Sequence, residues 1–160
     1  MESLAHPVSD PDRNVAWEDF AVGRAVRSQG LTVTETHLVM WSMTCGDWYP
    51  LHTNAEFAKE TRFGHRIVHG PLTLALSLGL IVQTTVFGDA VVAWLGLDEV
   101  RATAPVFIDD TITVTATVLE ASRSSKPEYG KAHLGYSITN QDDAEVMTFV
   151  SGFLLTTRHA

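Results

Sequence analysis

The segment PLTLALSLGLIVQTTVF, residues 71–87, constrains the fold more than any other stretch of the chain. Gly70 and Pro71 open it as a helix, because proline is tolerated at the first helical position and its fixed φ suits that place. Gly88 and Asp89 end it. The helix is apolar nearly all round, and such a helix must be surrounded on most sides. A bilayer could do that, but Thr, Ser, Gln and Gly interrupt the run, and it falls short of the ~18–20 apolar residues of a span. The expectation is a helix buried in protein, with no membrane partner.

What surrounds it lies downstream. AVVAWLGLDEV, RATAPVFIDD, TITVTATVLEAS, AHLGYSITN and EVMTFVSGFLLTT read as β-rich runs. TITVTATV alternates Thr with apolar residues at period 2, which gives one buried and one wet face. RSSKPEYG and NQDDAE read as hairpin loops. One long helix followed by four or five antiparallel strands predicts an α+β domain, a curved sheet wrapped around the helix. Burying the helix's five Leu with its Ile and Val contributes ~1.5–3 kcal/mol per side chain before entropy. A single-layer sheet leaves a face and an edge open, so edge pairing into a homodimer, or a dimer-based higher oligomer, is expected. The 160 residues fit one domain, with no repeat or internal boundary. That domain is expected over 15–160. Residues 1–14, MESLAHPVSDPDRN, lack apolar periodicity and read as a loose arm; they have no basic start followed by an apolar core, so no secretory signal is read there.

The first half is more helical. Leu31 and Val33 mark a short strand. Thr34 is a candidate N-cap, with Glu35 in the first turn of a helix that runs through Leu38, Val39, Met40, Trp41 and Met43 to Gly46. Thr53 or Asn54 caps a short helix, NAEFAKETRFG, that ends at Gly64. The net charge of −8 argues against nucleic acid, which needs a basic face. Cations still cluster: Lys59, Arg62 and Arg66 with His65, and Arg123 with Lys126 and Lys131. Singly they read as solvated surface; as groups they could meet phosphates or an acidic carrier protein. A single cysteine, Cys45, permits no internal disulfide and points to a reducing, cytoplasmic setting.

Between the first two helices lies CGDWYPLHTNAEFA, residues 45–58. Tyr49 precedes proline and is pushed out of the α region; Pro50 fixes φ and removes a donor. No helix runs from Asp47 to His52, and the chain is expected to turn and leave extended. Such a turn could hold Asp47 and His52 on one cleft with a water between them, since Asp accepts and His both donates and accepts. The alternative is structural: Asp47 caps the next helix and His52 packs. His65 and His69, at i and i+4, could suggest a metal pair, but no third ligand of suitable spacing is evident and no metal is expected. Gly70 is the better use of that segment. It offers an exposed N–H at the positive end of a helix, followed by a proline with no N–H, and this suits a developing oxyanion.

GDWYPLHTNAEFA followed by FGHRIVHG and an apolar helix resembles the MaoC-like dehydratases, the (R)-specific enoyl-CoA hydratase branch of the hotdog-fold superfamily. APVFIDDTITV resembles that family's later strand start, usually written with Gly where this chain has Asp109. The resemblance runs over residues 17–157 in order. It implies a hotdog fold acting as a dimer, with Asp47 and His52 as the catalytic pair and Gly70 as the amide that receives the thioester oxygen. The implied reaction is reversible addition of water to a trans-2-enoyl thioester, giving a (R)-3-hydroxyacyl thioester. Tyr49 stands where many members carry Asn, and GDWYPLHT is more similar to the subgroup that includes mesaconyl-CoA hydratases.

The chemistry sets its own limits. A free Asp titrates near 3.9 and water near 15.7, a gap of ~12 units or roughly 16 kcal/mol. Proton transfer must therefore accompany C–O bond formation, with Asp47 as main base, His52 orienting the water and helping return a proton, and Gly70 stabilising the enolate-like oxygen. No metal or redox cofactor is expected; coenzyme A enters as part of the substrate. Lys59, Arg62, Arg66, Arg123 and Lys126 are the candidates for its phosphates, and His69 for a further substrate contact. Trp48 and Tyr49 could line the acyl pocket or pack in the core. Cys45 reads as a small hydrophobe rather than a nucleophile. The rival readings are a hotdog acyl thioesterase and a non-catalytic acyl-thioester binding subunit.

Overall fold

The computed structural model describes residues 14–158. The loose arm expected over 1–14 lies, apart from Asn14, outside the described residues. Helix α4 (Gly70–Val82) packs against a sheet in which β4 (Thr111–Arg123), β5 (Tyr129–Thr139) and β6 (Glu145–Thr156) form the centre. β1 (Ala25–Arg27) borders β4 and β3 (Val91–Ala102) borders β6, giving the order β1-β4-β5-β6-β3, with β2 (Leu31–Thr32) also on β4. All these pairs are antiparallel.

The alternation read in TITVTATV is what faces the helix. Ile112, Val114, Ala116 and Val118 are buried while the threonines between them are not. On β5 the inward set is Ala132, Leu134, Tyr136 and Ile138, and on β6 it includes Met147, Phe149 and Leu155. Cross-strand partners such as Val114 with Ile138 and Tyr136 with Phe149 lock the register, because a one-residue slip would turn every apolar side chain to water. Phe20, Phe87 and Phe153 close one end of the core.

Three expectations need correction. Helix α4 is not surrounded within the chain: Leu72, Leu80 and Ile81 are buried against the sheet, but Val82 is 62% exposed and Leu74 and Leu78 are half-buried. RATAPVFIDD is not a strand of its own. β3 continues through Ala102, and the chain then turns, with the Phe107 N–H on the Asp110 carboxylate at 2.8 Å. Asp109 in that turn has φ +74°, the left-handed conformation that glycine adopts freely and Asp tolerates better than most residues. Finally, the chain after Tyr49 does not leave extended. Pro50 starts a single helical turn, α2 (Pro50–Thr53), before α3 (Ala55–Lys59). Proline at a first helical position initiates as readily as it interrupts.

Candidate active site

Two helix ends and a loop converge to build the site. Helix α1 (Glu35–Cys45) starts after Thr34, whose N–H donates to His37 Nδ1 at 2.9 Å. It stops at Gly46, with φ +79° and its N–H on the Ser42 carbonyl at 2.8 Å. Asp47 comes next and is half-buried. Its Oδ1 accepts the Tyr49 N–H at 3.2 Å. The Thr53 hydroxyl donates back to the Trp48 and Tyr49 carbonyls, each at 3.2 Å. Asp47 thus does serve the start of the next helix, as the structural alternative held. It does so through one oxygen, and the carboxylate keeps further acceptor capacity.

His52 sits on α2. Its Nδ1 lies 2.7 Å from the Ile67 carbonyl. A carbonyl can only accept, so Nδ1 carries the hydrogen and Nε2 holds the lone pair. The acceptor is itself fixed: the Ile67 N–H donates to the Leu51 carbonyl at 3.3 Å, Ile67 bridges Phe107, and the Val68 N–H donates to the Val106 carbonyl at 2.7 Å.

His69 lies behind His52, fully buried, with ring centroids 3.9 Å apart and planes 27° from parallel. Its Nε2 is 3.1 Å from the Asp47 carbonyl and 3.3 Å from the Ser42 hydroxyl. Burial pushes its pKa below the ordinary 6.5, which outweighs the opposing pull of the Asp47 carbonyl. The ring is therefore neutral at neutral pH. Two charged rings ~4 Å apart would repel by about 4 kcal/mol at an effective dielectric of ~20; a neutral His69 avoids that repulsion.

One carboxylate oxygen of Asp47 and one ring nitrogen from each of His52 and His69 lie within 4.8 Å of one another. These donors fit a metal poorly. His52 Nδ1 and His69 Nε2 already hold hydrogens on carbonyls, which leaves one lone pair on each of two stacked rings. The i, i+4 pair does not form either: His65 is exposed, edge-on to Phe107.

Directly after His69, the Gly70 N–H begins α4 and donates to no group among the described residues. Beyond its chain neighbours, a Cβ at Gly70 would meet nothing among the described residues within 4 Å. Glycine also eases a helical start before Pro71, since a Cβ crowds the following proline ring. The glycine opens on a groove of about 210 Å³ lined also by Arg62, Thr73, Pro105, Val146 and Met147.

The other candidates are less close together. Trp48 and Tyr49 are more than half exposed; Tyr49 lies edge-on to His52 and Phe57 at 6.3 and 6.2 Å. Lys59 pairs with Glu56 at 2.6 Å, and Arg66 makes a two-pronged pair with Glu35 at 2.6 and 2.8 Å. Both line a second groove of about 450 Å³. The Arg66 guanidinium holds the Glu35 carboxyl below its usual range. Arg62 is exposed, its guanidinium 4.8 Å above the Phe63 ring. Arg123, over Trp17 at 5.2 Å, and Lys126 lie at the opposite end of β4 from the site. Cys45 is exposed rather than packed.

Two contributors escaped the sequence reading. The Ile67 carbonyl has no side-chain signature. Ser42 has one: four residues after buried Leu38, it shares the buried stripe of α1, and a hydroxyl there needs a partner.

Residues 19–140 match the family described as MaoC like domain. The mesaconyl-CoA hydratase of Haloarcula marismortui is 28% identical over 132 residues, 81% of this chain and 36% of that protein. The (R)-specific enoyl-CoA hydratase of Rhodospirillum rubrum is 29% identical over 102 residues, 64% of this chain and 68% of that one. The chain thus spans about a third of the length of some relatives it matches. A crystal structure of a monoamine oxidase regulatory protein from Archaeoglobus fulgidus superposes with a TM-score of 0.84 at 32% identity, covering 89% of this chain and 95% of that one. A Mycobacterium tuberculosis protein with a double hotdog fold superposes at 0.80 with 19% identity, covering 91% and 45%, a likeness that speaks for the fold alone. By the extent of the family match, the Asp-to-His turn and the helix packed on its antiparallel sheet, the chain belongs to the MaoC-like dehydratase family and has the hotdog fold.

Proposed function

We propose that the protein is a hydro-lyase that reversibly adds water to a trans-2-enoyl thioester, giving a (R)-3-hydroxyacyl thioester. The observation that carries this reading is the Asp47 carboxylate and the His52 ring on one turn, within 4.8 Å, with the Gly70 N–H, unpartnered among the described residues, directly after His69. Water sits between Asp47 and the lone pair of His52 Nε2. As its oxygen bonds to the β carbon, its proton passes to Asp47, while the π electrons move onto the thioester oxygen at the Gly70 N–H. The same proton count is restored when the α carbon is protonated, so no co-reactant is consumed. His52 orients the water and helps return the proton.

The thioester is carried by coenzyme A or a carrier protein, as an ordinary substrate. Arg62, on the rim of the Gly70 groove and in no salt bridge among the described residues, is the cation best suited to a phosphate; Lys59 and Arg66 would first have to leave their acids. Trp48 and Tyr49 flank the site at its open side and would contact the acyl group. Tyr49 in place of an amide, and the likeness to a mesaconyl-CoA hydratase, favour a branched or dicarboxylic acyl group. An exposed, unpaired Cys45 suits a reducing compartment.

The working unit is a homodimer. β3 exposes Val91, Val92, Trp94, Leu95 and Val100, and α4 exposes Val82. An edge strand this apolar needs a partner. The test is ultraviolet absorbance of the conjugated thioester on crotonyl-CoA and mesaconyl-CoA, with free thiol measured in parallel. Loss of absorbance without thiol supports the hydro-lyase; thiol release marks a thioesterase instead.

A further inference from the structure

His69 is buried too deeply to touch substrate, yet it contacts both members of the catalytic pair. Its Nε2 faces the Asp47 carbonyl at 3.1 Å, and its ring lies 3.9 Å from that of His52. The carbonyl can only accept, so Nε2 carries the hydrogen, shared with the Ser42 hydroxyl at 3.3 Å. Nδ1 then holds the lone pair. It is buried and has no partner among the described residues. A hydrogen at Nδ1 would find no acceptor there, so the cavity accepts one tautomer only.

We infer that His69 is a positioning residue. Its Nε2–H ties the Asp47 backbone to the end of α1 through Ser42, and its flat face sets the plane of the His52 ring. The bond acts on the Asp47 carbonyl rather than its carboxylate, so it fixes where the carboxylate stands without competing for the water. The stack keeps His52 Nδ1 in line with the Ile67 carbonyl, which leaves the lone pair on Nε2. Because neutral His69 occupies the space behind His52, a proton taken by His52 meets no second charge there. The inference rests on the hydro-lyase reading only for its kinetic part.

The test pairs a spectroscopic readout with two substitutions. Imidazole ¹⁵N shifts recorded from pH 7 to 8.5 are expected to give His69 as the neutral Nε2–H form throughout, and neutral His52 as the Nδ1–H form. In His69→Phe, which keeps the stack and loses the donor, kcat on the hydrated thioester is expected to fall about 10–100-fold with KM within about 2-fold. His69→Gln, which restores an N–H close to the Nε2 position, should recover most of that loss. Ser42→Ala, which leaves the Asp47 bond intact, should fall by less than His69→Phe. Nδ1–H on His69, a charged His69 within that pH range, or a loss confined to KM would overturn the inference. So would His69→Phe at the wild-type rate. If the wild type hydrates no thioester, the functional reading fails while the tautomer result still decides the positioning role; a variant that does not fold leaves the decision with the same spectra.

Discussion

At the residue scale, the site depends on which atoms are already committed. His52 gives Nδ1 to Ile67, Asp47 gives one oxygen to Tyr49, and Gly70 gives its N–H to no group among the described residues. Gly70→Ala tests the last of these. The added methyl crowds the Pro71 ring but otherwise meets no atom of the described residues within 4 Å. It stands in the groove beside the N–H, and kcat/KM is expected to fall about 10²-fold, checked by hydration kinetics alongside thermal melting. His69 carries a pH signature. Its folded pKa lies below the ordinary 6.5, so the unfolded chain binds the proton more readily. Its contribution is fully present above that value and is lost as pH falls below it toward the lowered folded pKa. Denaturant midpoints at pH 7.5 and 5.5 should therefore differ more for the wild type than for His69→Gln. Most of this was legible in the sequence. Asp47, His52 and Gly70 could be singled out because proline and glycine fix the backbone around them. The depth of His69 could not, since its neighbours come from α1 and α2, far away in the chain.

At the element scale, α4 and the strands it packs on divide the stability unevenly. Ile81 is fully buried, whereas Val82 beside it is 62% exposed. Ile81→Ala is expected to cost about 2–5 kcal/mol and Val82→Ala well under that in the isolated chain, by chemical denaturation. Tyr136 stacks on Phe149 at 4.4 Å with its hydroxyl buried and unpartnered among the described residues, and burial pushes its pKa up. Tyr136→Phe removes that hydroxyl, so stability should be unchanged or rise by up to about 1 kcal/mol; a loss above that would reveal a partner. The strands were legible because alternation is local. The helical turn at Pro50 and the loop around Asp109 were not, because Pro-initiated turns and left-handed Asp depend on what the flanking chain pairs with.

At the scale of the whole molecule, the features left over in one chain fit together. β3 lies at the sheet edge with apolar side chains on both faces, and α4 is covered on one side only. A second copy would cover both. Val92→Lys places a charge on that edge and should shift the sedimenting species from dimer toward monomer, with a lower melting temperature; a monomeric wild type would contradict this reading. The edge was foreseeable from strand count, but which strand would form it was not, since order in a sheet is not order in the sequence.

The central claim is that Asp47 and His52 activate water for addition to an enoyl thioester. The most direct test is the hydration rate of the preferred enoyl-CoA with wild type and Asp47→Asn, a substitution that preserves shape and the bond from the Tyr49 N–H. The account predicts a loss of about 10²–10⁴-fold in kcat with the fold intact. A rate near that of the wild type would contradict it.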